Sequence, residues 1–380
     1  MNNSFCQGLQ LGILGGGQLG RMLIQSCVDF NIHTSVLDAD DSSPCKEFAS
    51  TFVLGDPTNY DDVVNFGKNL DLITIEVENV NTEALAKLVK LGKKVFPQPD
   101  VIKLIQDKRL QKQFYKKHNI PTSDFVLLNG KADIQKHADF LPAMQKLGTA
   151  GYDGRGVQKI NSIEDIEKGF DSASLLEKFV DFEKEISVIA ARNQSGEIVT
   201  YPVVEMVFHP TYNLVEYLFS PAQISKEIAN EAERIAKLVV EKLGIVGLLA
   251  VEMFITKDGK VLVNEVAPRP HNSGHHSMKG NYTSQFEQHL RAITDLPLGN
   301  TGVLKNAAMI NILGEEGYSG IAKYEGVNEI LRISGAYIHL YGKKFTKPKR
   351  KMGHITVIDD NFESLIAKVE KIKETIKVIA

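Results

Sequence analysis

The alternation of apolar and polar positions divides the chain into three stretches. Over about residues 1–104, short apolar runs alternate with segments of helical spacing. LQLGIL, HTSVLD, TFVLGD and DLITIEVEN read as strands, and helical stretches near 58–69 and 81–91 lie between them. In RMLIQSCVDF, Met22, Leu23, Ser26, Cys27 and Phe30 fall on one helical stripe. Strands alternating with helices imply βαβ units and a parallel sheet, here of Rossmann-like type. Over about 105–295 the pattern changes. SLLEKFV, KEISVIAAR, EIVTYPVVEMV and NLVEYLF follow one another as strands, with a turn at Gln194–Glu197 joining two of them. A helix is predicted over Lys226–Leu243, and then VGLLAVEMFIT and KVLVNEV flank a Lys-Asp-Gly-Lys turn. That is an α+β region with antiparallel pairing. From about 300 to 380, AYIHLYG and GHITVID read as strands before a closing helix from about Phe362, a small β-rich C-terminal domain.

Composition narrows the function classes. A chain of 380 residues allows two or three domains, and 43% apolar with 24% charged residues is ordinary for a globular protein. Forty-four basic against 47 acidic residues give a net charge of -3, which excludes a globally basic nucleic-acid binder but not a local basic patch. No apolar run approaches the roughly 20 residues that span a bilayer, so no membrane association is expected. The N-terminus does not read as a signal peptide. Cys6, Cys27 and Cys45 are too widely spaced for a disulfide framework or a zinc knuckle, so a cytoplasmic location is expected.

Five segments carry candidate chemistry. Gly15-Gly16-Gly17-Gln18-Leu19-Gly20 lies between a strand and a helix with G-x-G-x-x-G spacing, and Asp38 ends the next strand. Such a loop brings backbone N–H groups to an anion. The readings are a dinucleotide site of an NAD-dependent dehydrogenase, another phosphate-bearing ligand, or a tight turn. Lys146 precedes the glycine-rich stretch Gly151-Tyr152-Asp153-Gly154-Arg155-Gly156, which suits a lid over a triphosphate or a mobile hairpin. If Asp258-Gly259 is a two-residue turn, Glu252 and Glu265 face each other across the hairpin. Opposed carboxylates repel, and a magnesium ion removes that cost, unless both are solvated.

Pro268, Arg269, Pro270, His271, Asn272, His275 and His276 make a stiff loop directly after Glu265. No Cys or H-E-x-x-H pattern supports zinc there, and an anion-binding loop with Arg269 as a fixed fork is more economical. Lys343, Lys344, Lys347, Lys349, Arg350 and Lys351 form a basic run. It suits a solvated loop, a nucleic acid or a phosphate-bearing small molecule.

Together, LGILGGGQLGRM, IEVENV, GYDGRG, EKFV, VEMF, NEVAPRPHNSGH, SQFEQHLRAI and RKMGHITV resemble the ATP-grasp superfamily. Within it they are similar to the N5-carboxyaminoimidazole ribonucleotide synthetase family of purine biosynthesis, over nearly the whole chain. The resemblance implies a pre-ATP-grasp domain, an ATP-grasp domain and a small C-terminal domain. It implies carboxylation of 5-aminoimidazole ribonucleotide with ATP and bicarbonate through carboxyphosphate, with magnesium, in a homodimer that binds no nucleic acid.

The same resemblance assigns residues. ATP contacts are implied at Lys108, Lys146, Gly151–Gly156, Val157, Glu177, Lys178, Phe179, Val180, Glu185, Asn264 and Glu265, and metal ligands at Glu252 and Glu265. Gly16, Gln18, Leu19, Glu76, Glu78, Tyr152, Arg155, Asn272, Lys343, Arg350 and Lys351 would line the bicarbonate and ribonucleotide site. Arg269, Asp153 and Lys146 would be catalytic, Arg269 holding bicarbonate and Asp153 serving as the base. Two departures stand out. Leu147–Ala150 replaces a more basic family stretch, and the register near Phe208 or His209 leaves a further ATP contact unassigned. The alternative reading is a sister ATP-grasp ligase such as a formate-dependent glycinamide ribonucleotide transformylase, which shares the metal hairpin but uses formate.

Overall fold

The computed structural model describes residues 8–149, 156–209 and 214–380. The N-terminal layer is the expected parallel sheet. β1 (Gln10–Leu14), β2 (His33–Asp38), β3 (Thr51–Leu54), β4 (Leu72–Ile75) and β5 (Lys94–Val95) lie in the order β3-β2-β1-β4-β5. Helix α1 (Gln18–Asp29) packs on one face, joining Leu11, Ile13 and Val36 to Met22, Leu23 and Cys27. Helices α2 (Tyr60–Gly67) and α3 (Thr82–Lys90) bring Val63, Leu85 and Leu88 against Leu37, Ile73 and Ile75 on the other. Cover on both faces explains why the central strands β1 and β4 are buried nearly throughout rather than alternating. Asn59 and Asn81 start α2 and α3 by accepting free N–H groups of the first turn. The strand expected over DLITIEVEN stops at Ile75, because Glu76 turns under the glycine loop.

Helices α4 (Pro99–Gln106) and α5 (Lys108–Lys117) lead to a second sheet. Its strands β6 (Phe125–Leu128), β7 (Ala143–Leu147), β8 (Val157–Ile160) and β9 (Ser174–Lys178) are antiparallel in the order β6-β9-β7-β8. A small core of its own holds Leu128, Ile134, Ala143, Ile160 and Leu176.

The third sheet is the largest. It takes β10 (Phe182–Arg192), β11 (Ile198–Thr200), β12 (Val204–Phe208), β13 (Val215–Ser220), β14 (Gly247–Thr256) and β15 (Val261–Ala267). EIVTYPVVEMV, expected as one strand, is split into β11 and β12. Pro202 has no N–H for the ladder, and Tyr201 is buried with its hydroxyl on the Thr283 carbonyl. Helix α6 (Lys226–Leu243) has the expected limits, with Ser225 accepting the Ile228 N–H at one end and left-handed Gly244 at the other. Its Ile235, Ala236, Val239 and Val240 share a core with Val188 of β10 and Val251 of β14.

After the short α7 (Ser277–Gly280) and α8 (Gln285–Ile293), the chain enters β16 (Asn306–Leu313). Next come β17 (Gly320–Ile321), β18 (Lys323–Glu325), α9 (Val327–Leu331), β19 (Ala336–Leu340), β20 (Phe345–Thr346), β21 (Lys351–Asp359), α10 (Phe362–Thr375) and β22 (Lys377–Ile379). β16 pairs with β13 on one side and β21 on the other, so one sheet runs β15-β14-β10-β12-β13-β16-β21-β19. The sheet therefore crosses the boundary drawn near 295–300 without a break. The core beyond it packs Ile310, Ile330 and Ile355 against Leu365 and Val369 of α10 and takes in Phe219 of β13.

Cys27 and Cys45 are free and buried. Among the described residues, no helix is long and apolar enough to cross a membrane.

Candidate active site

Glu252 of β14 lies opposite Glu265 of β15, as the turn argument expects, but two offsets combine to put it there. Nearer the turn, Ile255 pairs with Val261, Phe254 with Leu262 and Met253 with Val263, one residue short of a two-residue-turn register. The loop holds three residues between Thr256 and Lys260, with Gly259 at φ 78°. Asn264 is then an extra residue in β15, and this bulge restores the Glu252–Glu265 pairing.

On the other side of β14, Glu252 pairs with Ser187 of β10, so Glu185, two positions away, shares its face. Three carboxylates thus meet over one patch of sheet. Burial raises the Glu252 pKa, and the Glu265 charge raises it further. Lys108 holds Glu265 below the usual carboxylate range. Burial pushes Glu185 up to about 7.

Two lysines face these acids, and a third meets Glu177 behind them. Lys108, at the start of α5, is paired with Glu265. Lys146 of β7 donates to Asn264 Oδ1 at 2.9 Å and lies 2.7 Å from Glu177 Oε2. Lys112, one turn after Lys108, lies 2.7 Å from Glu177 Oε1. Burial works against the Glu177 charge, but Lys146 and Lys112 outweigh it and bring its carboxyl down to about 2. The stretch Leu147–Thr149 that departs from the family is tied to α5 by its backbone, with the Lys108 N–H donating to the Gly148 carbonyl at 2.8 Å. Phe179 and Val180 follow β9 as the link into β10, and Phe179 is exposed with Lys159 over its ring at 4.6 Å. Lys178 points away from the acids, its ammonium on the Phe140 carbonyl at 3.1 Å. Gly156 and Val157 enter β8.

The glycine loop is filled by the protein itself. Glu76 accepts the Gly17 N–H at 2.8 Å, the Gly20 N–H at 3.1 Å and the Leu19 N–H at 3.2 Å. Asp38 accepts the Gly16 N–H at 2.5 Å. A carboxylate occupies the start of α1 where a dinucleotide pyrophosphate would sit, so the dehydrogenase reading fails on charge and space. A Cβ at Gly15 or Gly17 would strike the Glu76 carboxylate, which is why the loop is glycine here. Leu19, expected among the substrate contacts, sends its side chain into the core instead. Glu76 is likewise spent on the loop, whereas Gln18 is only half-buried.

Glu78 and Arg269 form an ion pair at 2.7 Å. Arg269 also donates to the Pro270 carbonyl, and its Nε is buried without a hydrogen-bond partner. His271 Nε2 lies 3.5 Å from Glu252 Oε1, but burial, with Arg269 and Lys351 adding, brings the imidazole down to about 3, so the contact is not an ion pair. The three histidines of this loop do not converge. His271 Nδ1 meets Ser273 Oγ, His275 Nδ1 meets Gln285, and His276 Nδ1 meets the Ser273 carbonyl. Among the described residues, no three His, Cys, Asp or Glu side chains form a metal site. Asn272 is half-buried beside them.

The basic run does not act as one patch. Met352 is an extra residue in β21 opposite β16, and that bulge turns Lys351 to the side of His354, toward the acids. The Lys351 charge acts on Glu252, His271 and His275. Lys343 donates to the Lys351 carbonyl at 2.8 Å, and Arg350 donates to the Phe345 carbonyl at 2.7 Å with its charge felt at Asp40. Lys349 lies 3.5 Å from Glu316, on the surface. Gly151, Tyr152, Asp153, Gly154 and Arg155 lie outside the described residues.

Sequence reasoning missed Lys112, Ser123 and Arg21. The signal for Lys112 is a second lysine four positions after Lys108 on an otherwise amphipathic helix. Arg21 stacks over Phe48 at 4.3 Å and lies against Gly342, bringing α1 to the basic run. Nothing local in the sequence marks that contact.

A lysine-and-carboxylate cluster where a small antiparallel sheet meets a larger one, set behind a parallel pre-domain, defines the ATP-grasp class. Residues 9–106 match the ribonucleotide synthetase preATP-grasp domain, 113–286 the ATP-grasp domain and 307–368 the phosphoribosylaminoimidazole carboxylase C-terminal domain. The chain is 40% identical to N5-carboxyaminoimidazole ribonucleotide synthetase from Thermotoga maritima, whose crystal structure superposes with a TM-score of 0.90 over 98% of this chain and 99% of that one. The N5-carboxyaminoimidazole synthase of Aspergillus clavatus, solved with ADP and 5-aminoimidazole ribonucleotide, is 32% identical with a TM-score of 0.87 over 97% and 99%. The phosphoribosylaminoimidazole carboxylase of Candida albicans is 36% identical over 95% of this chain, which spans only 66% of that longer protein. The chain belongs to the N5-carboxyaminoimidazole ribonucleotide synthetase family.

Proposed function

We propose that this chain carboxylates 5-aminoimidazole ribonucleotide with bicarbonate and ATP, giving N5-carboxyaminoimidazole ribonucleotide, ADP and phosphate. The observation that carries the reading is the convergence of Lys108, Lys146 and Asn264 with the facing pair Glu252 and Glu265. A triphosphate needs cations and hard oxygen donors together, and this patch supplies both. The ADP and ribonucleotide held by the Aspergillus clavatus relative support the same pair of ligands here.

In this reading a bicarbonate oxygen attacks the γ-phosphorus of ATP, and ADP leaves. The carboxyphosphate formed breaks to carbon dioxide and phosphate, and the exocyclic amine of the ribonucleotide adds to the carbon and loses a proton. Lys146 offsets charge on the transferred phosphoryl group, and Arg269, steadied by Glu78, orients bicarbonate. Asp153 is the proposed base for the amine proton.

Glu252 and Glu265 suit magnesium, since two buried carboxylates face each other and the Glu252 charge is disfavoured without a cation. Such an ion supplies charge neutralisation on the phosphates when bound. Lys351, with Lys343 and Arg350, is proposed for the ribonucleotide side. The reading includes a homodimer, which sedimentation would check.

The deciding assay follows ADP release with ATP and 5-aminoimidazole ribonucleotide, adding bicarbonate or formate. Bicarbonate-dependent release with a carboxylated product is expected. Dependence on formate would overturn the reading in favour of a transformylase.

A further inference from the structure

The buried network around Glu177 contains one cation more than the proposed chemistry uses. Glu177 lies between two ammonium groups, Lys112 at 2.7 Å from Oε1 and Lys146 at 2.7 Å from Oε2. Ser123 also donates to Oε1, and Lys112 reaches Ser123 Oγ at 3.1 Å and Thr122 Oγ1. Thr122 in turn donates to the Val263 carbonyl of β15 at 2.7 Å, and Lys146 donates to Asn264, the next residue. The chain of contacts therefore leaves β15, passes through α5 and β9, and returns to β15 by way of β7. Lys112 and Glu177 are only 3% and 2% exposed, so water does little to screen these charges.

Lys108 is in contact with Glu265, and Lys112 and Lys146 share the carboxylate of Glu177, while Glu185 also feels the Lys146 charge. We propose that Lys112 is a positioning residue for ATP: it holds Glu177 from one side, so that the Lys146 ammonium is not tied to that carboxylate alone and stays available to the phosphates. Without Lys112, Glu177 pairs with Lys146 alone. Lys112 touches neither phosphate nor metal in this arrangement and acts through Glu177. The inference rests on the ATP reading above.

The test is calorimetric binding of ATP with magnesium to the full chain, carrying Lys112→Met or Lys112→Arg. Lys112→Met should weaken ATP binding by about tenfold or more, from loss of one poorly screened charge. It should leave ribonucleotide binding within about twofold, because distant sites act independently.

Equal ATP affinity in Lys112→Met and the unmodified chain overturns the proposal. If thermal denaturation shows that Lys112→Met does not fold, Lys112→Arg carries the test. It keeps the charge and should bind ATP within about threefold of the unmodified chain, and a loss of about tenfold or more in a folded Arg variant overturns the proposal. Failure of the unmodified chain to bind ATP at all would count against the ATP reading itself, separately from Lys112.

Discussion

Glu78 accepts the Arg269 guanidinium at 2.7 Å, and this pair ties the segment after β4 to the loop after β15. Both side chains are partly accessible, so the pair adds at most about 1 kcal/mol to stability. Its value lies in aiming Arg269. Glu78→Gln should leave the melting temperature nearly unchanged and lower kcat by about tenfold to a hundredfold, the effect of misplacing a group that orients a reactant. Steady-state kinetics with bicarbonate varied would check this, and unchanged kcat would separate Glu78 from the chemistry.

Glu252→Gln keeps the shape of the hairpin and removes one of two facing carboxylates. ADP formation should fall by about a hundredfold or more if Glu252 holds magnesium over the phosphates. Circular dichroism should stay unchanged. Undiminished turnover at ordinary magnesium would remove Glu252 from the metal site.

Lys351 is turned toward the acids by the bulge at Met352, while Arg350 reaches the Phe345 carbonyl and Lys349 a surface pair with Glu316. Lys351→Ala should raise KM for the ribonucleotide by about tenfold, and KM for ATP by less, if its charge-assisted bond goes to the ribonucleotide phosphate. The ratio of the two KM changes decides the assignment. Lys349→Ala, at a surface pair with Glu316, should leave both constants alone.

Glu76 caps α1 from a distance, accepting three N–H groups of the glycine loop. Glu76→Ala leaves those donors without a partner and should cost about 2–4 kcal/mol, on the scale of unsatisfied buried donors. Urea unfolding measures it directly. Glu76→Gln keeps one acceptor oxygen and should cost less.

His289 on α8 bridges two sheets. Its Nδ1 accepts the Leu248 N–H at 3.2 Å and its Nε2 meets Thr74 Oγ1 at 2.9 Å, with burial bringing the imidazole down to about 3. In the unfolded chain a histidine titrates near about 6.5. Between about 3 and 6.5 the unfolded state therefore binds a proton the native state refuses, so stability is present at neutral pH and falls as pH drops below about 6.5. This group alone contributes up to about 1.4 kcal/mol per pH unit in that window. His289→Gln should lower stability at pH 7 and flatten the slope of unfolding free energy against pH between 6 and 5 by about one proton. An unchanged slope would show that other groups carry the acid sensitivity.

Much of the fold is legible locally. The limits of α6 follow from Ser225 and Gly244, and the parallel layer follows from apolar runs separated by helical spacing, because caps and periodicity are short-range effects. The Glu252–Glu265 pairing is legible too, though for an incomplete reason. A three-residue loop and a bulge at Asn264 offset one another, and neither is visible in the turn residues alone. The glycine loop shows the opposite outcome. Its spacing announces an anion site, and the anion is Glu76 from the end of another strand.

The sequence by itself determined the parallel N-terminal layer, α6, the likeness to ATP-grasp proteins and most of the residue types that meet at the site. Tertiary structure alone decided which charge neutralises which. Glu76 filling the start of α1, Glu78 holding Arg269 and Glu177 shared by Lys112 and Lys146 all join residues far apart in the chain. The physical reason is that a buried charge must find its partner across packed elements, and that choice depends on sheet register and bulges, which no local pattern encodes.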